Sequence, residues 1–500
     1  MGERCALSYI SAIGTYVPRL RLSRAAMVQA TGWLGGAATS KTGARSLAFW
    51  DEDSTTMAVE AARHCLAQWG GDRSALRHLT FATTTPAFRE PQNALFVHAA
   101  LRLQADCLTQ DASGTTRAGL LALQQALEQD APALLTVADR PDCLPASLAE
   151  SRSGDGAAAV VVGTGTPLLR YRGGASVAAP LMDRYAAADG KPAVEWEERW
   201  LREEGFLKLV PQAIAKALQH AGLAAGDIDT LVMPCVISGC GAAVLKAAGL
   251  HKARLTDPLS NQCGDTGTAH ALLMLAHAVE TMKAGERIML VQCAQGATAL
   301  VLQAEAAITQ AQTQLAAHLA QGIAEDNYMK LLVFRGLVAW DRGLRGRQGV
   351  AEALSTSYRY HDALLGFVGG KCCETGRVQF PPTRLGVTQA GAGAGGSGNR
   401  GLLLDTQEPY PLADRGGQVA TCTADRLAFS RHPPHCYGLV DFTGGGRLMM
   451  DFTDPDAAAL QAGSAVRFVF RIKDLDEQTG YRRYFWKAVS DGFPQSVNGH

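Results

Sequence analysis

The sequence has no excess of either charge: 47 Lys and Arg stand against 47 Asp and Glu in 500 residues. Such a chain has no bulk attraction for nucleic acid or an anionic membrane surface, so neither is expected as a partner. It has no apolar run near the roughly 18 residues that a bilayer-spanning helix needs. The opening, MGERCALSYISAIG, has no long apolar stretch and no cleavage signature, so it does not read as a signal peptide. Ala6 stands where a myristoylation motif needs Ser or Thr. The twelve His show no metal-ligand spacing, and the twelve Cys are scattered through mostly apolar segments. Those cysteines read as reduced, buried thiols of a cytoplasmic protein.

At 47% the hydrophobic content is ordinary for a globular chain, and 500 residues are too many for one core. Residues 1–165 alternate apolar strand-like runs with helical stretches. STTMAVEAARHCLAQW has Ser54 or Thr55 as the expected N-cap, and GDGAAAVVVG (154–163) reads as a strand buried on both faces. Residues 166–305 repeat the theme. LVPQAIAKALQHAGL is an amphipathic helix ended by Gly222, and IDTLVMPCV is a strand. RIMLVQCAQGATALVLQ reads as two strands around a turn. Two similar halves suggest a pseudo-duplicated α/β fold. Residues 306–368 read as a helical connector. TQAGAGAGGSGNRG (388–401) is flexible and Gly-rich, and residues 391–500 continue as short alternating strands with TGGGR as a hairpin turn. That pattern is expected to form a small β-barrel.

Taken in order, IGTYVPRLRL (13–22), FWDEDSTTMAVEAARHCL (49–66), GDGAAAVVVG, AAVLKAAGL (242–250) and CGDTGTAHALLMLAHAVETMKAGERIML (263–290) resemble the thiolase superfamily. The resemblance is to 3-hydroxy-3-methylglutaryl-CoA synthase in its archaeal and bacterial form. GGKCCETGRVQFPP (369–382), YGLVDFTGGGRLM (437–449) and YFWKAV (484–489) resemble an acyl-CoA-associated domain made of a zinc ribbon and an OB-fold barrel. The fold implied is a five-layered αβαβα thiolase fold, usually dimeric, followed by an OB barrel. A degenerate ribbon is expected over 369–390. Acyl-CoA is the implied ligand, with no tightly bound cofactor.

The chemistry of that family needs a Cys nucleophile, a Glu acid/base, and a His with an Asn to polarise or stabilise an oxyanion. Flanking sequence carries the Cys position onto Ser113 in DASGTTRAGL, the Glu position onto Thr84 in TTTP, the His position onto Pro234 and the Asn position onto Asp265 in GDTG. No His lies between His220 and His251. Gly296 keeps the glycine turn after RIMLV. None of the four chemical positions holds the family residue. Cys107, six residues before Ser113, is a poor substitute nucleophile.

Three readings follow for Ser113. It is a retired nucleophile in a subunit that scaffolds a catalytic thiolase partner. Or it accepts acyl groups with helpers such as Asp265 or Asp111. Or the site has moved, with Cys235 and Cys240 as the thiols to consider; both also read as strand-end and loop thiols. A non-enzymatic acyl-CoA binder is a further alternative. His270 and His277, seven apart on one helix, read as buried or interface residues, and the neighbouring His251 carries no role. In the ribbon, Cys372 and Cys373 are adjacent and Thr375 holds the second knuckle position, so zinc is not expected. His361 and Cys422 are too remote in sequence to complete a site. Arg447, Arg467 and Arg471 in the barrel suit CoA phosphates.

Overall fold

The computed structural model describes residues 8–34, 40–187, 191–305, 313–341, 353–386, 404–476 and 478–492. It divides into two compact units, Met1–Val338 and Ala339–His500.

The first unit is built on ten strands whose order mirrors itself about the middle. From one edge run Leu108–Ala112, His78–Ala82, Ala133–Asp139, Gly156–Val162 and Tyr9–Tyr16; the second half follows as Leu169–Ala178, Gly296–Ala304, Arg287–Cys293, Thr230–Val232 and Arg254–Leu255. Each half therefore has the chain order 3-2-4-5-1, which establishes the duplication that weak letter-level similarity only suggested. The halves join where Tyr9 and Ile10 pair with Arg170 and Leu169.

Helices complete the layers. Ser54–Trp69 covers the outer face of the first half, and Val210–Ala221 covers that of the second. Between the halves lie Ala118–Glu128 and His270–Val279, whose apolar residues share one core with strands of both halves. The result is αβαβα, and Gly156–Val162 is buried along its whole length, as its unbroken apolar sequence requires.

Local chemistry sets the ends of these elements. Asp53 caps the first long helix and forms a capping box with Thr56, so the cap falls one residue before Ser54. Val210–Ala221 ends at Gly222 in the left-handed region (φ 66°). It is preceded by a continuous π-helical segment, Leu201–Leu209, that the sequence did not predict. The stretch read as a connector also differs: Ile323–Glu325 pairs in parallel with Leu20–Leu22 inside the first unit.

The second unit holds two antiparallel sheets. Val368–Cys372 pairs with Val378–Gln379 and with Gln407–Pro411, so the strands of 369–390 belong to a sheet that extends to Pro411. The other sheet runs Arg447–Asp451, His435–Phe442, Gly417–Asp425, Ala465–Leu475, Arg482–Ser490. A bridge between Phe452 and Ala488 closes it into a barrel. Gly444, Gly445 and Gly446 all have positive φ in the expected hairpin turn. Phe367 sits beneath the barrel, fully buried against Phe468 and Trp486. The Gly-rich segment 388–401 lies outside the described residues.

Candidate functional site

Loops from both halves of the first unit meet beside the C-terminal ends of the strands. They are the turns after His78–Ala82, Leu108–Ala112, Ala133–Asp139 and Arg287–Cys293, with the Asp265–Thr268 turn and the Arg184–Tyr185/Val194–Glu195 hairpin. The organising group is Asp139, whose side chain is fully buried. Its carboxylate accepts from Thr83 Oγ1 (2.9 Å), Thr84 N (2.7 Å) and Thr84 Oγ1 (2.8 Å). It also accepts from Thr268 N (2.8 Å) and Thr268 Oγ1 (2.6 Å) of the other half. One buried carboxylate thus ties the TTTP turn to the GDTG turn.

Thr84, the sequence's candidate for the Glu position, is consumed by this arrangement. It donates to Asp139 and accepts from Arg184 Nη2 at 2.8 Å. A threonine hydroxyl titrates far too high to act as an acid/base near neutrality. Asp265 accepts from Gly267 N at 2.9 Å, and its backbone bridges to Ser153. Its charge faces Glu195 of the hairpin, whose carboxyl is pushed above the usual range by burial and then by Asp265. Two carboxylates side by side make this wall acidic, which disfavours a developing oxyanion there.

Ser113 follows strand Leu108–Ala112 on an exposed turn, with Gly114 at φ 86° and the helix starting only at Ala118. Among the described residues no side chain hydrogen-bonds to its hydroxyl. Asp111, the other helper considered, accepts from Asn93 N and Ala94 N at 2.7 Å each. It therefore fastens the start of helix Ala94–Leu101. A serine without a base holds its proton too tightly to attack a thioester at a useful rate.

Pro234 is buried in the loop after Thr230–Val232. Gly296 (φ 119°) is required by packing: a Cβ there would lie 2.1 Å from Val177 O. Beside it, Arg117 donates to Gln295 O (3.0 Å) and Ser176 Oγ (2.8 Å), fixing the Ser113 turn against the 293–296 turn. Thr115 Oγ1 reaches Ala294 O at 3.5 Å. His270, at the head of the central helix, bonds Pro258 O at 2.9 Å and is buried. Cys107 is buried before its strand, and burial raises its thiol.

In the second unit Arg447 is committed to Asp441, Nη2 to Oδ2 at 2.8 Å, across two paired strands. Arg471 is fully buried beside Asp454. In the stretch expected as a ribbon remnant, strand Val368–Cys372 ends in Cys372, whose sulfur lies 3.2 Å from Thr406 Oγ1 and whose thiol is lowered to about 7 by hydrogen bonds from Thr375 and Thr406. One thiol ringed by threonines does not fit a tetrahedral zinc site. Among the described residues no three His, Cys, Asp or Glu side chains are placed to hold a metal.

The sequence pointed to Ser113, Thr84, Pro234 and Asp265 as candidates and not to Asp139, Arg184 and Glu195, which the structure places beside Thr84, Thr268 and Asp265. An Asp ending the otherwise apolar strand ALLTVAD was a usable signal for the first. The other two lie on a hairpin of two-residue strands that leaves no periodic trace.

This layered, duplicated arrangement is the fold of the thiolase superfamily. A 3-oxoacyl-(acyl carrier protein) synthase III from Pseudomonas aeruginosa superposes with a TM-score of 0.52 at 23% identity, over 60% of this chain and 99% of that one. The corresponding synthase from Thermus thermophilus gives 0.50 at 21%, over 60% of this chain and 100% of its own. In sequence the chain is 24% identical to the hydroxymethylglutaryl-CoA synthase of Methanosarcina acetivorans over 302 residues, which are 58% of this chain and 85% of that protein. The same enzyme from Thermococcus gammatolerans matches at 24% over 292 residues, 57% of this chain and 82% of that protein. Residues 410–471 match the C-terminal OB-fold domain of ChsH2. The chain therefore has a thiolase-like fold over a region similar in sequence to hydroxymethylglutaryl-CoA synthase, and a C-terminal ChsH2-type OB-fold domain. No helix among the described residues is long and apolar enough to cross a membrane.

Proposed function

We propose that this chain is a catalytically degenerate hydroxymethylglutaryl-CoA synthase-like subunit of a heteromeric acyl-CoA thiolase or acyltransferase complex. It scaffolds a catalytic thiolase partner and shapes the channel for acyl-CoA. The observation that carries this reading is the state of Thr84: at the position of the acid/base it is locked between Asp139 and Arg184. Ser113 without a base and Pro234 without a proton complete the loss of chemistry, while the surrounding turns stay built.

Two features support a partner. Among the described residues strand Leu108–Ala112 ends the sheet with no strand on its outer edge, and Leu108 is 66% exposed. A groove beside it is lined by His78, Thr80, Leu108, Gln110, Gln125 and Gln129. A second thiolase-fold chain adding a strand there would bury both. The OB-type domain supports an acyl-CoA-handling assembly, in which the partner supplies the nucleophilic cysteine.

Co-expression with thiolase-family polypeptides encoded beside it tests the proposal. The expected result is a hetero-oligomer by light scattering, whose acyl-CoA turnover is abolished by mutating the partner's cysteine and kept in Ser113→Ala. Turnover by this chain alone contradicts it.

A further inference from the structure

Two cations of the second unit share one aromatic ring. Lys371 lies on strand Val368–Cys372, and Arg415 follows strand Gln407–Pro411. Lys371 Nζ is 5.5 Å from the centroid of the Tyr410 ring, and the Arg415 guanidinium carbon is 4.0 Å from it. Strand register brings the first pair together: Gly369 faces Tyr410 and Lys371 faces Glu408, so Lys371 is the diagonal neighbour of Tyr410 on one face. Arg415 is anchored through Nε, which donates to Pro411 O at 2.9 Å. Its Nη1 and Nη2 have no hydrogen-bond acceptor among the described residues, and neither has Lys371 Nζ. Glu408 and Asp414, the nearest acids in the chain, form no ion pair with either cation. Arg384, Arg447, Arg471 and Arg483 of the same unit do sit on carboxylates, those of Asp405, Asp441, Asp454 and Asp474. The Tyr410 hydroxyl lies against Gly444, leaving no room for a side chain there, and Arg415 Nη1 is 3.8 Å from the same point. Gly444, Gly445 and Gly446 all have positive φ. Gly445 N bonds Phe442 O at 2.9 Å, whereas the amides of Gly444 and Gly446 have no acceptor among the described residues. Lys371, Arg415 and the tip of this turn are exposed, and Tyr410 is half-buried.

We propose that Lys371, Tyr410, Arg415 and the 444–446 turn form a binding site for a phosphate monoester. Two cations held over one ring repel each other. A phosphate monoester, with a charge of about −1.5 to −2 near neutrality, offsets both, whereas a carboxylate leaves one of them uncompensated. Its terminal oxygens suit a guanidinium fork, an ammonium and a phenol hydroxyl, and the glycine amides add backbone donors. Stacking on Tyr410 and the bond to Pro411 O hold the donors in place before the ligand arrives, so little ordering is left to do on binding. A ring that lies under both cations is not free to stack a nucleobase, on which single-stranded nucleic-acid binding relies. Two sources offer this chemistry: the ribose phosphate of CoA, and free phosphate. The first rests on the acyl-CoA reading given above; the site itself does not.

The test is calorimetric titration of the whole chain with CoA, with dephospho-CoA, which lacks the ribose phosphate, and with inorganic phosphate. It involves neither turnover nor a partner subunit, so its failure is distinct from failure of the proposed function. CoA is expected to bind about tenfold tighter than dephospho-CoA, and Lys371→Gln and Arg415→Gln are each expected to remove that preference. Both side chains are exposed, so the variants are expected to keep the wild-type circular dichroism and melting temperature. Should CoA and dephospho-CoA bind alike while both variants weaken the binding of inorganic phosphate, the site stands and free phosphate is its ligand. A preference for CoA, or phosphate binding, that survives unchanged in either variant overturns the proposal. So does a wild type that shows neither.

Discussion

Asp139 is the residue on which the cleft depends. Its carboxylate gathers donors from two turns that belong to different halves of the fold, in a site without water access. Removing it leaves several buried donors unsatisfied, each costing about 1–3 kcal/mol. Asp139→Ala is therefore expected to lower stability by roughly 4 kcal/mol in urea unfolding, and Asp139→Asn, which keeps an acceptor, by less than half of that. Equal losses in both variants would show that the charge alone matters. Gly296 gives a second prediction. The added Cβ of Gly296→Ala meets the Val177 carbonyl, and a backbone atom cannot swing away as a side-chain end can. The expected cost is at least about 2 kcal/mol, against about 1 kcal/mol for Gly114→Ala, where the positive φ is the sole penalty because no atom lies in the way.

Among the elements, the hairpin Arg184–Tyr185/Val194–Glu195 brings charged side chains to the cleft. Burial first, and Asp265 second, raise the Glu195 carboxyl. A folded-state value above the unfolded one means that the favourable contribution is present at low pH and is lost as pH rises through the raised value. Glu195→Gln is thus expected to flatten the fall in stability as pH rises through the raised Glu195 range and to leave the low-pH stability nearly unchanged; an unaltered slope would contradict the geometry. This hairpin also shows where a sequence stops being legible. Long periodic elements such as Val210–Ala221, and apolar strands such as Gly156–Val162, follow from hydrophobic spacing and a stop glycine. The turns that carry Thr84, Ser113, Pro234 and Asp265 were legible as breaks between apolar runs, and the structure has turns or loops there. Two-residue strands have no period, and a π-helical turn such as Leu201–Leu209 differs from an α-turn by one hydrogen-bond step that residue spacing does not encode. Asp139 escaped notice because its importance lies in partners 55 and 129 positions away.

At the scale of the molecule, two units with separate cores are fused in one chain. The first holds its apolar mass between and around the two half-sheets. The second is centred on Phe367, Phe468 and Trp486. Calorimetry is expected to resolve more than one transition, and Trp486→Ala, a core truncation worth about 3–5 kcal/mol, to shift one of them and leave the other in place. A single transition that moves as a whole would contradict independent cores.

The same scale explains why a scaffold can outlive its chemistry. The buried turns are held by Asp139, Arg117 and Gly296, none of which needs a reactive cysteine. Under the proposed function, these residues are what keeps the cleft built without a nucleophile. The most direct measurement is intact-protein mass spectrometry after incubation with a panel of acyl-CoAs, with Ser113→Ala in parallel. The account predicts that wild type and variant both carry no acyl group on residue 113. An acyl mass on the wild type that Ser113→Ala lacks would make Ser113 a working nucleophile and contradict the retired site.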